Sequence, residues 1–242
     1  MKLGWRKSFF LTIVVAAAVA GATYRRWFPD LEWLKIREVS IEVQEPLKEA
    51  ELRKLLPALL GKNLLLVSAD SLIERCLKNP WVSSVAVKKE YPNRLTLIAQ
   101  SKKAVALKQE SGKLIYIDDK GEEIDRWSAS RLPGSDLPIV VYETAETARV
   151  WNSKAVLDIL LGLQKALGEK RPISQLVPVE PPYFKVFLAK PKLELLFSRH
   201  TWEAQLPFFL DLVSRPPRRI GQAHKINLVF PKKAVVSLPL SN

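Results

Sequence analysis

Between residues 39 and 107 the spacing of apolar residues changes in a fixed order, and each change defines an element. Residues 36–43 alternate, with Val39, Ile41 and Val43 on one face, as a half-buried strand does. Glu45-Pro46 then opens a helix, Pro46 suiting its first turn, with Leu52, Leu55 and Leu56 on the buried side. Pro57 ends or bends that helix near Leu56, since it lacks an N–H and its ring crowds the preceding turn. Gly61 and Asn63 make a turn, Ser68 or Asp70 caps a second helix, and Asn79-Pro80 stops it. Residues 82–90, the turn Tyr91-Pro92-Asn93 and residues 94–100 complete a hairpin, with Val85 and Val87, then Leu95 and Leu97, facing one way. The order is strand, helix, helix, strand, strand. Trp81, at the joint between helix and strand, is placed as a core plug rather than as a ligand-stacking ring.

A chain of 242 residues has room for one large domain or two small ones. One cysteine cannot form an internal disulfide, so the fold must hold without oxidation. Cys76 shares a helix face with Leu72, Ile73 and Leu77, which makes it a buried core thiol. The formal charge of +13 invites a nucleic-acid reading. The cations, however, are scattered as pairs (Lys88-Lys89, Lys102-Lys103, Arg218-Arg219, Lys232-Lys233), with no Arg-rich helix, zinc spacing or aromatic ribonucleoprotein motif. A basic surface facing anionic lipid or cell-wall polymer fits them, and no nucleic-acid partner is expected.

Lys2, Arg6 and Lys7 precede an uncharged run at residues 9–23. A spanning helix needs about 20 apolar residues, which this run reaches by including Tyr24, or Trp5 and Trp27 as interfacial anchors. A cleavable signal peptide needs about 7–15 after a basic start, then a small-x-small site, which Ala18-Val19-Ala20 and Ala20-Gly21-Ala22 both supply. Either device exports the rest of the chain. The charge before the run slightly outweighs Arg25 and Arg26, placing the N-terminus inside and the bulk outside.

Beyond Lys103 the pattern is strand-like at 105–108 and 114–117, then turns at Asp118-Asp119-Lys120-Gly121 into 122–125. Residues 132–135 and Leu137-Pro138 read as an irregular loop. Asn152 or Ser153 starts a helix with Val156, Leu160, Leu163 and Leu167 at helical spacing, closed by Gly168. Strands at 185–189 and 193–197 precede a helix over 202–213, where Pro207 predicts a late start or a kink. The chain then runs through 225–230, Pro231-Lys232-Lys233 and 234–238, with Ile226, Leu228 and Phe230 alternating. A late strand is either an ordinary closing hairpin or an open edge that offers backbone groups to another chain.

No catalytic, cofactor-binding or metal-ligating residue emerges. Asp118-Asp119 and Glu122-Glu123 flank a glycine turn and read as solvated loop carboxylates. His200 and His224 stand alone in the sequence, and neither Gly-x-Ser-x-Gly nor His-Glu-x-x-His is present. Nine glycines make a phosphate-cradling fold hard to build. The expectation is a protein without enzymatic activity.

GKNLLLVSADSLIERCLKNPWVSSVAVKKEYPNRLTLIAQSKKAVAL resembles the POTRA module of the bacterial cell-division family FtsQ/DivIB. Gln44-Glu45-Pro46 stands where that family usually has a glycine, and Ala104 where it tends to have proline. The resemblance implies an α+β chain: a cytoplasmic tail at 1–7, a transmembrane helix at 8–28, and a β-α-α-β-β POTRA domain at 36–104. A mostly antiparallel β domain with two flanking helices completes it at 105–242. It implies a division scaffold in the cytoplasmic membrane at the septum, single-pass, with its bulk outside. By the same resemblance Leu228, Val229, Phe230 and Lys232 receive a β-strand from a small single-pass coiled-coil partner of the FtsB/FtsL (DivIC) type. The POTRA face at Val82, Val85 and Val87 would contact other division proteins. The alternative is a secreted periplasmic POTRA protein that assists outer-membrane protein assembly or secretion.

Overall fold

The structure, a computed structural model, describes residues 31–110, 112–132, 136–215 and 223–238. The tail at 1–7, the apolar segment at 8–28 and the Arg218-Arg219 pair lie outside the described residues. Among the described residues no helix is long and apolar enough to cross a membrane. The chain divides into two units after Ser101.

The first unit is built from β1 (Glu38–Val43), α1 (Glu49–Leu55), α2 (Ala69–Cys76), β2 (Val82–Glu90) and β3 (Arg94–Ser101). Its sheet runs β1-β3-β2, β1 parallel and β2 antiparallel to the central strand. Alternation explains the register: Ile41 stands opposite Leu97, and Leu95, Leu97 and Ala99 bury one face of β3. Leu52, Leu72 and Cys76 close that face from the helices, and Trp81 is fully buried, as a core plug must be. Ser68 caps α2 by accepting the Ser71 N–H at 3.3 Å.

Three local expectations change. The first helix begins at Glu49 rather than at Pro46, because the Leu47 N–H bonds the Gln44 carbonyl at 3.0 Å and Lys48 stays extended. The second helix ends at Cys76, before Asn79-Pro80, and leaves Leu77 47% exposed. Asn79 makes the turn into β2 instead, accepting the Trp81 N–H at 3.0 Å and donating to Glu51 at 3.2 Å.

Among the described residues the second unit holds a nine-stranded sheet. Its strands are β4 (Ala104–Glu110), β5 (Lys113–Asp118), β6 (Glu123–Arg126), β7 (Ile139–Val141), β8 (Ile173–Pro178), β9 (Tyr183–Leu188), β10 (Leu193–Ser198), β11 (Lys225–Asn227) and β12 (Val235–Ser237). They run in the order β12-β11-β10-β9-β8-β7-β4-β5-β6. The sheet is mixed: β4–β7, β7–β8 and β10–β11 are parallel, the other neighbours antiparallel. Parallel neighbours need crossovers, and helices supply two of them. α3 (Ala145–Val150) and α4 (Ser153–Leu167) join β7 to β8, while α5 (Trp202–Ser214) joins β10 to β11.

α4 follows its sequence pattern closely. The Asn152 side chain caps it through the Lys154 N–H at 2.8 Å, and Gly168 ends it at φ 64°. Val156, Leu157, Leu160 and Leu163 share one core with Phe184, Val186, Leu195, Phe197 and Phe209. α5 starts at Trp202 and runs through Pro207, so the late start does not occur. Asp118 is not solvated: it is 4% exposed, and its carboxylate accepts the N–H groups of Lys120 and Glu122 at 3.0 and 2.9 Å, which closes the β5–β6 turn.

Candidate functional site

The feature that offers itself to another chain is the β12 end of the large sheet. β12 pairs antiparallel with β11, Ile226 facing Val236, and among the described residues no strand lies on its other side. Half of its backbone groups therefore point outward, unpaired by the sheet. Val235 is 55% exposed, while Val236 packs against the core.

The segment leading into this edge is held from below. Ile226 and Leu228 are fully buried, and the Leu228 N–H bonds Leu196 at 2.8 Å, one step beyond β11. The Asn227 side chain then accepts the Val229 N–H at 3.0 Å and ends the strand. Lys232 sits at φ 55° in a turn closed from Lys233 to the Phe230 carbonyl at 3.2 Å. Gln205, 2% exposed on α5, donates to that same carbonyl. The Phe230 ring itself is 52% exposed.

Of the residues expected to receive a partner strand, Leu228 is thus core, Val229 is half-buried, and Phe230 and Lys232 belong to the exposed turn beside the edge. The unpaired strand lies a few residues further on, at 235–237. Sequence reading missed Gln205; its one signal is a polar residue on the apolar face that Leu206 and Phe209 also occupy. Lys225 pairs with Glu194 at 3.0 Å, and the exposed Lys232 and Lys233 make the turn beside the edge basic.

In the first unit β2 is also an outer strand. Val85 and Val87 are half-buried there, and Val82, 4% exposed, belongs to the core. Among the described residues no group of three or more His, Cys, Asp or Glu side chains could hold a metal ion. Burial holds the Cys76 thiol above its ordinary pKa and so keeps it protonated.

Comparison with known proteins accords with this architecture. Residues 34–98 match the family profile described as "POTRA domain, FtsQ-type". A "Cell division protein FtsQ" of Anaeromyxobacter sp. (strain K) is 29% identical over 133 residues, 53% of this chain and 44% of that protein. The one of Bradyrhizobium diazoefficiens is 35% identical over 85 residues, 35% of this chain and 24% of that protein. That of Rickettsia felis is 26% identical over 125 residues, 52% of this chain and 45% of that protein. The chain spans less than half the length of these relatives. The first unit thus carries a POTRA domain of the FtsQ type. Over the parts that align, the chain is similar to proteins of the FtsQ/DivIB family.

Proposed function

We propose that the chain is a cell-division scaffold of the cytoplasmic membrane, single-pass through residues 8–28, with both folded units outside and without enzymatic activity. It links division proteins by β-augmentation. A small single-pass coiled-coil partner of the FtsB/FtsL (DivIC) type adds a strand to β12, and the POTRA unit contacts further division proteins along β2 at Val85 and Val87. The relatives named as division proteins favour this reading over a secreted assistant of outer-membrane assembly. The observation that carries it is the open β12 edge with the exposed Phe230 ring beside it. Backbone bonds along β12 supply affinity, and Phe230 with the neighbouring lysines supplies selectivity.

The test is a photocrosslinker at Val235 or Phe230 in native membranes, with mass spectrometry of the captured protein. A small single-pass division protein is the expected product; an outer-membrane barrel or its client would overturn the reading. Phe230→Asp keeps the backbone carbonyl that Gln205 holds and changes an exposed ring. It should alter stability by no more than about 0.5 kcal/mol. Capture should weaken by about 2 kcal/mol or more, as loss of an aromatic anchor does. Full capture by a folded Phe230→Asp chain sinks the assignment.

A further inference from the structure

The first unit carries large apolar side chains exposed on two neighbouring segments, at the end where the chain enters it. Trp33, Leu60 and Leu66 are 58%, 66% and 61% exposed, and Leu65 is 37% exposed. They project from two segments tied together by backbone bonds. Leu64 donates to Leu34 at 2.9 Å, Ile36 to Lys62 at 2.9 Å, and Gly61 to Ile36 at 2.9 Å. Beside Leu66 lies an open depression of about 670 Å³, lined among others by Lys35, Lys62 and Arg75 and by the hydroxyls of Ser68 and Ser71. Lys35 pairs with Glu32, while Lys62 and Arg75 are exposed. Exposed tryptophan and leucine on segments that also carry Lys35 and Lys62, beside a depression that Arg75 lines, is the composition of a surface that meets the headgroup layer of a bilayer.

Chain length selects the occupant. Phe28, the last residue of the proposed membrane span at 8–28, precedes Trp33 by five residues. Those five span at most about 18 Å when fully extended, so the cluster is tethered within reach of the bilayer surface. From this we infer that the face formed by Trp33, Leu60, Leu65 and Leu66, with Lys62 and Arg75, docks the POTRA unit onto the anionic phospholipid surface of the membrane that holds the chain. The inference rests on the proposed membrane anchor. Docking fixes which side of the POTRA unit faces the bilayer and leaves the opposite end of β1 directed away from it.

The experiment uses the full chain in vesicles of phosphatidylcholine with or without phosphatidylglycerol. An environment-sensitive fluorophore is attached at Leu66→Cys or, as the far-end control, at Gln44→Cys; the native thiol Cys76 is fully buried and does not compete for the label. The label at 66 should shift to the blue and be quenched by bromolipid, more strongly with phosphatidylglycerol, while the label at 44 should not. Lys62→Glu and Arg75→Glu should each weaken docking about fivefold or more, read from the quenched fraction. Alkaline washing separates the two readings. A chain that stays with the vesicles but shows equal quenching at 66 and 44 overturns the docking face alone. Loss of the chain in the wash overturns the anchor and the docking face together. Protection at 66 that appears only with native membrane proteins, and never in protein-free vesicles, overturns lipid as the occupant and assigns the face to a protein.

Discussion

Gln205 acts on the candidate edge without touching it. Its amide holds the Phe230 carbonyl, and its own oxygen is buried with no hydrogen-bond partner among the described residues. A buried amide left half-satisfied costs stability, so its position is explained by what it fixes, the turn that delivers the chain to β12. Gln205→Ala removes the hydrogen bond, worth about 1 kcal/mol. It also leaves a cavity in the face shared with Leu206 and Phe209. Hydrogen exchange of the amides at 229–237 should speed up while those of β9 stay protected. Gln205→Leu separates the two effects: it should recover stability by filling the space and removing the unpartnered oxygen, yet leave the fast exchange. Unchanged exchange in both variants would mean that the turn holds its shape without the latch.

At the scale of elements, α4 and α5 come together at Gly162. A Cβ there would stand 2.7 Å from the Trp202 ring, far inside normal contact. Gly162→Ala gains helix propensity of about 1 kcal/mol but forces Trp202 from its place at a cost of about 1–3 kcal/mol. A net loss in unfolding free energy is the expected result, and Trp202→Leu in the same chain should abolish it. A stabilised single variant would show that the ring moves freely. α4 was also the element most legible in the sequence, because its cap, its apolar period and its closing glycine lie within one contiguous stretch. β7 and β8 were not legible: β7 is only three residues long, too short to show a period, and Ser174-Gln175 and Pro178 interrupt the apolar run of β8. α3 buries none of its residues, so it left no apolar period to read. The edge itself was half legible. A late strand could be read, but the shortness of β11 depends on Asn227 turning its side chain back onto Val229, and the latch depends on a helix more than twenty residues away.

Across the whole molecule the +13 charge is spread in pairs, yet one of those pairs, Lys232-Lys233, stands at the free edge of the sheet. Backbone pairing along β12 uses neutral groups and responds little to salt, whereas exposed rim charges act mainly on the rate of encounter. The Debye length is about 8 Å at physiological ionic strength, so attraction between exposed charges fades quickly beyond that distance. An acidic partner strand should therefore associate more slowly as salt rises, with dissociation nearly constant. Lys232→Glu combined with Lys233→Glu should flatten or invert that dependence without changing the dissociation rate, whereas Phe230→Asp, which removes an apolar contact, should speed dissociation at every salt concentration. Stopped-flow or surface-based kinetics on the captured partner read both rates. Association indifferent to salt in the unmodified chain would remove the lysines from the recognition surface and leave the edge and Phe230 as its whole basis.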